Sequence, residues 1–168
     1  MANSTLTTPD SRPLRIALIG AGRHAQHHAR AILRCPGVQL VAVADPSDAA
    51  QAAMRDIVPG IGCFKTPEEL FASERLNVVH IITPPASHAP LARMAIKAGC
   101  HIYVEKPFTE SVEDAQQILD EASAKGLRVC AGHQLLYEPP TRVLTQYLPS
   151  IGRVVHVESY FSFRTVRH

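Results

Sequence analysis

A closely spaced pair of glycines follows the first apolar run of the chain. Residues 15–19 are mostly apolar, and the loop Gly20-Ala21-Gly22-Arg23-His24-Ala25 comes directly after them. In this GxGxxA pattern Gly20 permits a tight turn, Gly22 lets a ligand approach the backbone, and Ala25 allows close helix packing. Unpaired N–H groups and the positive end of the helix dipole attract anions. The loop therefore predicts a pyrophosphate site, which the intervening arginine and histidine are expected to line.

An acidic residue stands where a second half of such a site is expected. Asp45 ends the next apolar run, about 20 residues beyond Ala25, which is the spacing of a carboxylate that accepts bonds from ribose hydroxyls. A carboxylate there would repel a 2′-phosphate, so NAD is favoured over NADP as cofactor. Arg23 leaves NADP open, because its guanidinium could compensate. Asp45 could instead simply start a turn before Pro46-Ser47 or cap the next helix.

Apolar runs alternate with helical patterns along most of the chain. Strands are predicted at 15–20, 38–44, 78–82, 101–104 and 127–131, with a brief extended piece at 63–64, and helices at 23–34, 48–57, from 66, 87–98 and 111–125. This alternation predicts an α/β fold, a doubly wound and mainly parallel Rossmann sheet with helices on both faces. Such sheets bind ligands outside the carboxyl ends of their strands. Polar clusters follow each predicted strand at that edge.

The composition excludes several classes of function. Hydrophobic residues make up 46% of the 168 and charged residues 19%, as in globular proteins, and the net charge is +2. Scattered basic residues and few aromatics argue against a nucleic-acid partner, and no apolar run is long enough for a membrane span. Four widely spaced cysteines and the lack of a signal peptide predict free thiols and a cytoplasmic location.

Three histidines, His24, His27 and His28, lie close together in the sequence. Zinc-binding helices of the HExxH type place an acidic residue between their ligands, and none is present here. No metal site is therefore predicted.

The chain changes character from residue 134 onward. Pro139-Pro140 break the pattern, a short helix is predicted over 141–148, and 152–163 alternates as a half-exposed strand with nothing after it to pair with. We divide the chain into a tail (1–13), a dinucleotide-binding Rossmann domain (14–133) and the incomplete start of a C-terminal α+β domain (134–168). The unpaired strand suggests a truncated protein.

Two further segments resemble a known family. These are Thr83-Pro84-Pro85-Ala86-Ser87-His88 and, above all, the AGxHxxxEKP run from Ala98 to Pro107. Together with the glycine loop and the acid after the second strand, they make the sequence similar to the Gfo/Idh/MocA oxidoreductases over Leu14 to about Phe163.

The resemblance implies an NAD(P)-dependent dehydrogenase that transfers a hydride to or from a sugar, polyol or related hydroxyl or carbonyl carbon. By resemblance Thr83, Pro84 and His88 lie along the ribose and nicotinamide side of the cofactor. Glu105 would contact the nicotinamide ribose region.

The same resemblance makes Lys106 the catalytic-site lysine and implies a cis peptide bond before Pro107. An ammonium group beside the reacting oxygen would stabilise a developing alkoxide. Gln134 stands near a position where many members carry Asn or Gln, and it could contact substrate or nicotinamide. The family's second domain supplies an Asp and a His for proton transfer, and no residue here occupies those positions.

Two hypotheses of different class remain at this stage. The favoured one is the cofactor-binding half of the oxidoreductase, and the alternative is a non-catalytic NAD-binding regulatory or sensor module. A homo-oligomer is expected. A short-chain dehydrogenase fits worse, because Tyr103 and Lys106 are one residue too close for its Tyr-xxx-Lys pair.

Overall fold

The computed structural model describes residues 12–160 of the chain. They divide into a first unit that ends at Gly132 and a second that begins at His133. No helix in the described range is both long and apolar enough to cross a bilayer.

The first unit is built on a six-stranded, all-parallel sheet. The strands are β1 (Leu14–Ile19), β2 (Val38–Ala44), β3 (Gly62–Phe64), β4 (Val78–Ile81), β5 (His101–Val104) and β6 (Val129–Ala131). Their order, β3-β2-β1-β4-β5-β6, winds outward in both directions from β1. The predicted doubly wound Rossmann sheet is confirmed, and it places the loops after β1 and β4 side by side.

Five helices connect these strands. They are α1 (Arg23–Ile32), α2 (Asp48–Ile57), α3 (Pro67–Ser73), α4 (His88–Lys97) and α5 (Val112–Ala124). Hydroxyl caps set several starts: Ser47 accepts from the Ala50 N–H, and Thr66 forms a capping box with Glu69. The cap of α2 is therefore Ser47 and not Asp45.

The sheet is covered by an apolar layer on each face. On one face α1 and α2 bury Ala25, Ala29 and Met54 against the strands. On the other, Leu70, Ile96 and Ile118 of α3, α4 and α5 pack on Ile81, Ile102 and their neighbours. The small residues of α1 let its first turn lie close to β1, as Ala25 predicts.

The second unit contains a 3₁₀ turn (Gln134–Tyr137), α6 (Pro139–Tyr147) and another 3₁₀ turn (Leu148–Ser150). The helix predicted over 141–148 therefore begins two residues earlier, because proline suits the first position of a helix. The strand predicted over 152–163 is wrong for 152–160, which pair with no described strand. Alternating pattern cannot supply the hydrogen-bonding partner that a strand requires. Residues 161–163 lie outside the described range.

Candidate functional site

A cleft of about 430 Å³ opens at the carboxyl edge of the sheet. Its walls include five of the residues that the sequence singled out for cofactor binding: Gly20, Gly22, Asp45, Thr83 and Pro84. They arrive from the ends of β1, β2 and β4, which are neighbours in the sheet. The winding order therefore assembles one site from residues more than 60 positions apart.

Gly20 makes the turn from β1 toward α1. Its φ is +97°, a conformation that favours glycine, and its N–H donates to the Ala44 carbonyl at 2.8 Å. A Cβ at this position would overlap the carbonyl oxygen of Ile82 and lie 2.9 Å from its carbonyl carbon. The fold itself therefore requires glycine here.

At Gly22, unlike Gly20, the fold itself does not require a glycine. Gly22 is the N-cap of α1 with φ −65°, which any residue can adopt, and a Cβ here would meet no atom within 4 Å. No side chain caps the N–H groups of this helix, and its first turn holds no acidic residue. Arg23 and His24 are exposed at the same helix start. The helix N-terminus is thus open on the cleft side and suited to an anion.

Asp45 connects the glycine loop after β1 to the loop after β2. Its Oδ2 accepts from the Ala21 N–H of the glycine loop at 2.7 Å, and its Oδ1 accepts from the Ser47 N–H at 2.8 Å. An ionised carboxylate has about four acceptor sites, so two are left for other donors. The turn role that the sequence left open is therefore real, and it does not preclude a ribose contact.

Gln51 stabilises the loop after β2, and it was not singled out from the sequence. It is 3% exposed, and its Nε2 donates to the carbonyl oxygens of Asp45 (2.7 Å) and Phe64 (2.8 Å). It therefore holds the ends of β2 and β3 together. A glutamine within the alanine-rich α2 was the only available signal.

Lys65 lines the cleft next to Asp45 and was not predicted either. Its ammonium donates to the Pro46 carbonyl at 3.0 Å and pairs with the Asp48 carboxylate at 2.6 Å. That hydrogen bond and the positive charge lower the pKa of Asp48. The lysine charge is thus already matched by a carboxylate.

The segment after β4 is held by a buried histidine. His88 is 1% exposed, with Nδ1 2.8 Å from the Pro107 carbonyl and Nε2 2.9 Å from the Thr83 carbonyl. Carbonyl oxygens only accept, so a neutral ring donates to one of them and an imidazolium to both. The ring therefore ties the end of β4 to the end of β5. We propose that it serves the cofactor site by holding this loop from within the protein.

The Glu105-Lys106-Pro107 segment directly follows β5. The Lys106–Pro107 peptide is cis, which confirms that prediction. The Lys106 side chain is exposed, while its N–H donates to Glu105 Oε2 at 3.2 Å. Glu105 is mostly buried, with 17% of its side chain accessible, so its carboxylate acts as a support for this segment.

Behind Glu105 lies a group of aromatic and imidazole rings. We call His28, His80, Tyr103 and Glu105 the histidine cluster. His28 Nε2 lies 3.1 Å from Glu105 Oε1, and its Nδ1 lies 3.1 Å from His80 Nδ1. His80 and Tyr103 are paired in register on β4 and β5, with stacked rings 4.8 Å apart. Side chains alternate between the two faces of a strand, and this alternation in β4 and β5 was the signal that could have placed His80 and Tyr103 on the same face of the sheet.

Burial governs ionisation within this cluster. Desolvation, assisted by the nearby His28, lowers the pKa of His80 to about 3. Desolvation also lowers the pKa of His28, although its hydrogen bond to Glu105 and the negative charge there act in the opposite direction. At neutral pH both rings are uncharged.

The remaining predicted position is outside the first unit. Gln134 is exposed at the start of the 3₁₀ turn in the second unit, and its contact with substrate or nicotinamide stays a prediction. Across residues 12–160 no group of three His, Cys, Asp or Glu side chains is arranged to hold a metal ion.

Comparison with known proteins identifies the family. Residues 14–133 match the sequence model of the Gfo/Idh/MocA oxidoreductase family, NAD-binding Rossmann fold. The chain is 36% identical to inositol 2-dehydrogenase of Agrobacterium fabrum over 69% of its own length, and 28% identical to the oxidoreductase YdgJ of Escherichia coli over 88%. It spans 35% and 43%, respectively, of those relatives.

A solved structure with cofactor is similar as well. GenD2 from gentamicin A biosynthesis, in complex with NAD, superimposes with a TM-score of 0.72 at 28% identity, covering 79% of this chain and 39% of GenD2. The chain belongs to the Gfo/Idh/MocA oxidoreductase family, and its first unit is an NAD(P)-binding Rossmann domain.

Proposed function

We propose that this chain binds NAD for hydride transfer to or from a hydroxyl or carbonyl carbon of a sugar or polyol. The observation that carries this proposal is the open helix start at Gly22. Neither backbone conformation nor packing requires glycine there, whereas a phosphate approaching the N–H groups of α1 would.

The strand order supports an orientation for the dinucleotide. With the pyrophosphate over β1 and α1, the adenosine ribose reaches Asp45 at the end of β2. The nicotinamide half then extends over β4 and β5, which are about 5 and 10 Å from β1. Thr83, Glu105 and Lys106 lie at those strand ends.

The exposed Lys106 is proposed as the catalytic residue. The nicotinamide ring supplies the hydride acceptor or donor when bound. The lysine ammonium, directed by the Glu105-Lys106-Pro107 turn, stabilises negative charge that develops on the substrate oxygen. Inositol 2-dehydrogenase among the relatives supports a polyol or sugar as the substrate class.

The surroundings of Asp45 support NAD rather than NADP. A 2′-phosphate would lie against this carboxylate, and the cation that lines the adenosine side, Lys65, is already paired with Asp48. Arg23 at the helix start is the side chain that could favour NADP.

Replacement of Asp45 with alanine is expected to weaken NAD⁺ binding about tenfold, roughly the 1.4 kcal/mol of one charged hydrogen bond. The NAD⁺ to NADP⁺ affinity ratio should fall, because the repulsive charge is removed. Isothermal titration of the 168-residue chain with each nucleotide measures both effects.

The exposed Asp56 of α2 provides the matched control, since Asp56→Ala removes the same charge from a site with no role in binding. Wild-type protein that binds neither nucleotide would refute the proposed function. An unchanged affinity ratio in Asp45→Ala would refute only the role of this carboxylate in cofactor choice.

A further inference from the structure

We infer that His28 is a positioning residue that links the pyrophosphate-binding helix α1 to the Glu105-Lys106 segment at the other end of the site. This inference rests on the proposed function, because it assigns to His28 the alignment of the nicotinamide end with the pyrophosphate end. His28 itself touches neither end of the cofactor in this arrangement and acts through the Glu105 carboxylate.

The connection is a continuous chain of hydrogen bonds. A carboxylate only accepts, so His28 Nε2 donates to Glu105 Oε1 at 3.1 Å. The other oxygen, Oε2, accepts from the Lys106 N–H at 3.2 Å. Glu105 therefore bridges an α1 side chain and the backbone of the proposed catalytic lysine.

The histidine ring is held on its other side too. With Nε2 as the donor in the neutral ring, His28 Nδ1 accepts, and the neighbouring His80 Nδ1 must carry the hydrogen across the 3.1 Å gap. The His28 ring also lies edge-on to His80 and Tyr103, with centroid separations of 5.3 and 5.1 Å. Both ring nitrogens and the ring edge are thus occupied, which fixes the direction of the bond to Glu105.

Packing closes the cluster from the β6 side. A Cβ on Gly132 would lie 2.8 Å from the Tyr103 hydroxyl and 3.2 Å from Glu105 Oε1. The Tyr103 hydroxyl also approaches Glu105 Oε1, at 3.4 Å. There is little room for the carboxylate to take another position while the histidine stays in place.

Protonation is consistent with this assignment. The titratable groups that face His28 are His24 and His27 on its own helix, His80 on β4, and Tyr103 and Glu105 on or after β5. Burial keeps the His28 ring neutral near pH 7, so the ring has a single N–H. The Glu105 carboxylate accepts the hydrogen bond from that N–H. A metal ion would need the same nitrogens that these partners already occupy.

The test compares ligands that occupy one or both ends of the site. ADP reaches the Asp45 and pyrophosphate positions alone, whereas NAD⁺ also carries the nicotinamide ribose. We expect His28→Leu to weaken NAD⁺ binding five- to tenfold and ADP binding less than twofold in titration calorimetry of the full chain. His28→Gln, whose amide can donate to Glu105, should recover most of the NAD⁺ affinity.

The exposed His27 on the same helix supplies the matched control, His27→Leu, which should leave both affinities unchanged. Equal losses for NAD⁺ and ADP in His28→Leu, or no gain in His28→Gln, would show a merely structural role and overturn the inference. Wild-type chain that binds neither ligand would instead overturn the proposed function.

Nitrogen-15 NMR of the wild-type histidine side chains provides a measurement that needs no stable variant. The inference requires His28 to carry its hydrogen on Nε2 at pH 7. A hydrogen on Nδ1 alone would exclude donation to Glu105 and overturn the inference.

Discussion

Replacement of Gly20 with alanine is expected to cost about 2–4 kcal/mol of folding free energy and to reduce NAD⁺ affinity more than 100-fold. The residue has φ +97°, and an added Cβ would overlap the Ile82 carbonyl oxygen, which belongs to the backbone and cannot rotate away. Relief requires the β1–α1 loop to move away from the end of β4. That movement would displace the N–H groups that face the proposed pyrophosphate site.

Alanine substitutions at two other glycines distinguish backbone strain from loss of the binding surface. Gly60 has φ +81° with open space around it, so Gly60→Ala measures conformational strain alone, about 1–2 kcal/mol. Gly22 has an ordinary φ, so Gly22→Ala should leave stability nearly unchanged and still weaken NAD⁺ binding. Urea unfolding and calorimetry of the three variants test this order. Equal destabilisation by Gly20→Ala and Gly60→Ala would contradict the clash.

Acidification is expected to destabilise the fold through His80. The pKa of this ring is about 3 in the folded protein, against an ordinary value of 6.5 in the unfolded chain, so the unfolded chain binds the additional proton between these values. Stability is therefore complete above pH 6.5 and declines as the pH falls toward 3. The slope is about 1.4 kcal/mol per pH unit, so this residue should account for a loss of about 2–3 kcal/mol between about pH 6.5 and 4.5.

The variant His80→Phe isolates this contribution. Phenylalanine keeps a ring against Tyr103 but has no titratable group, so the pH dependence of its unfolding free energy should be flatter by the predicted amount. Its absolute stability will fall because His28 Nδ1 loses a partner, but that loss does not generate the slope. His27→Phe, at an exposed position, is the control. Identical slopes in wild type and His80→Phe would refute the lowered pKa and neutral state of His80.

Local sequence was sufficient for most of the Rossmann unit. The strands β2 and β5 and the helix α2 were predicted at their observed bounds, because buried parallel strands are short apolar runs that end at turn residues. The glycine loop and Asp45 were found for the same reason, since each directly follows such a run. The strand predicted over 152–163 was wrong over 152–160, because pairing depends on a partner strand that a local pattern does not supply.

Several features of the site depended on the tertiary structure. His80 and Glu105 lie 52 and 77 positions beyond His28, so no local pattern relates the three residues until α1 packs over β4 and β5. His88 has two carbonyl partners from different loops, and Gln51 likewise spans the ends of two strands.

The sequence by itself determined the glycine loop proposed to receive the pyrophosphate, the acid beside it, the cis proline segment and the family. The glycine loop and the acid are encoded in neighbouring residues through backbone conformation and apolar runs, whereas the cis peptide and the family followed from the resemblance of the segments 83–88 and 98–107. Only the tertiary structure decided how Glu105 is held, because a hydrogen bond between distant side chains exists only after the strand order has brought their elements together.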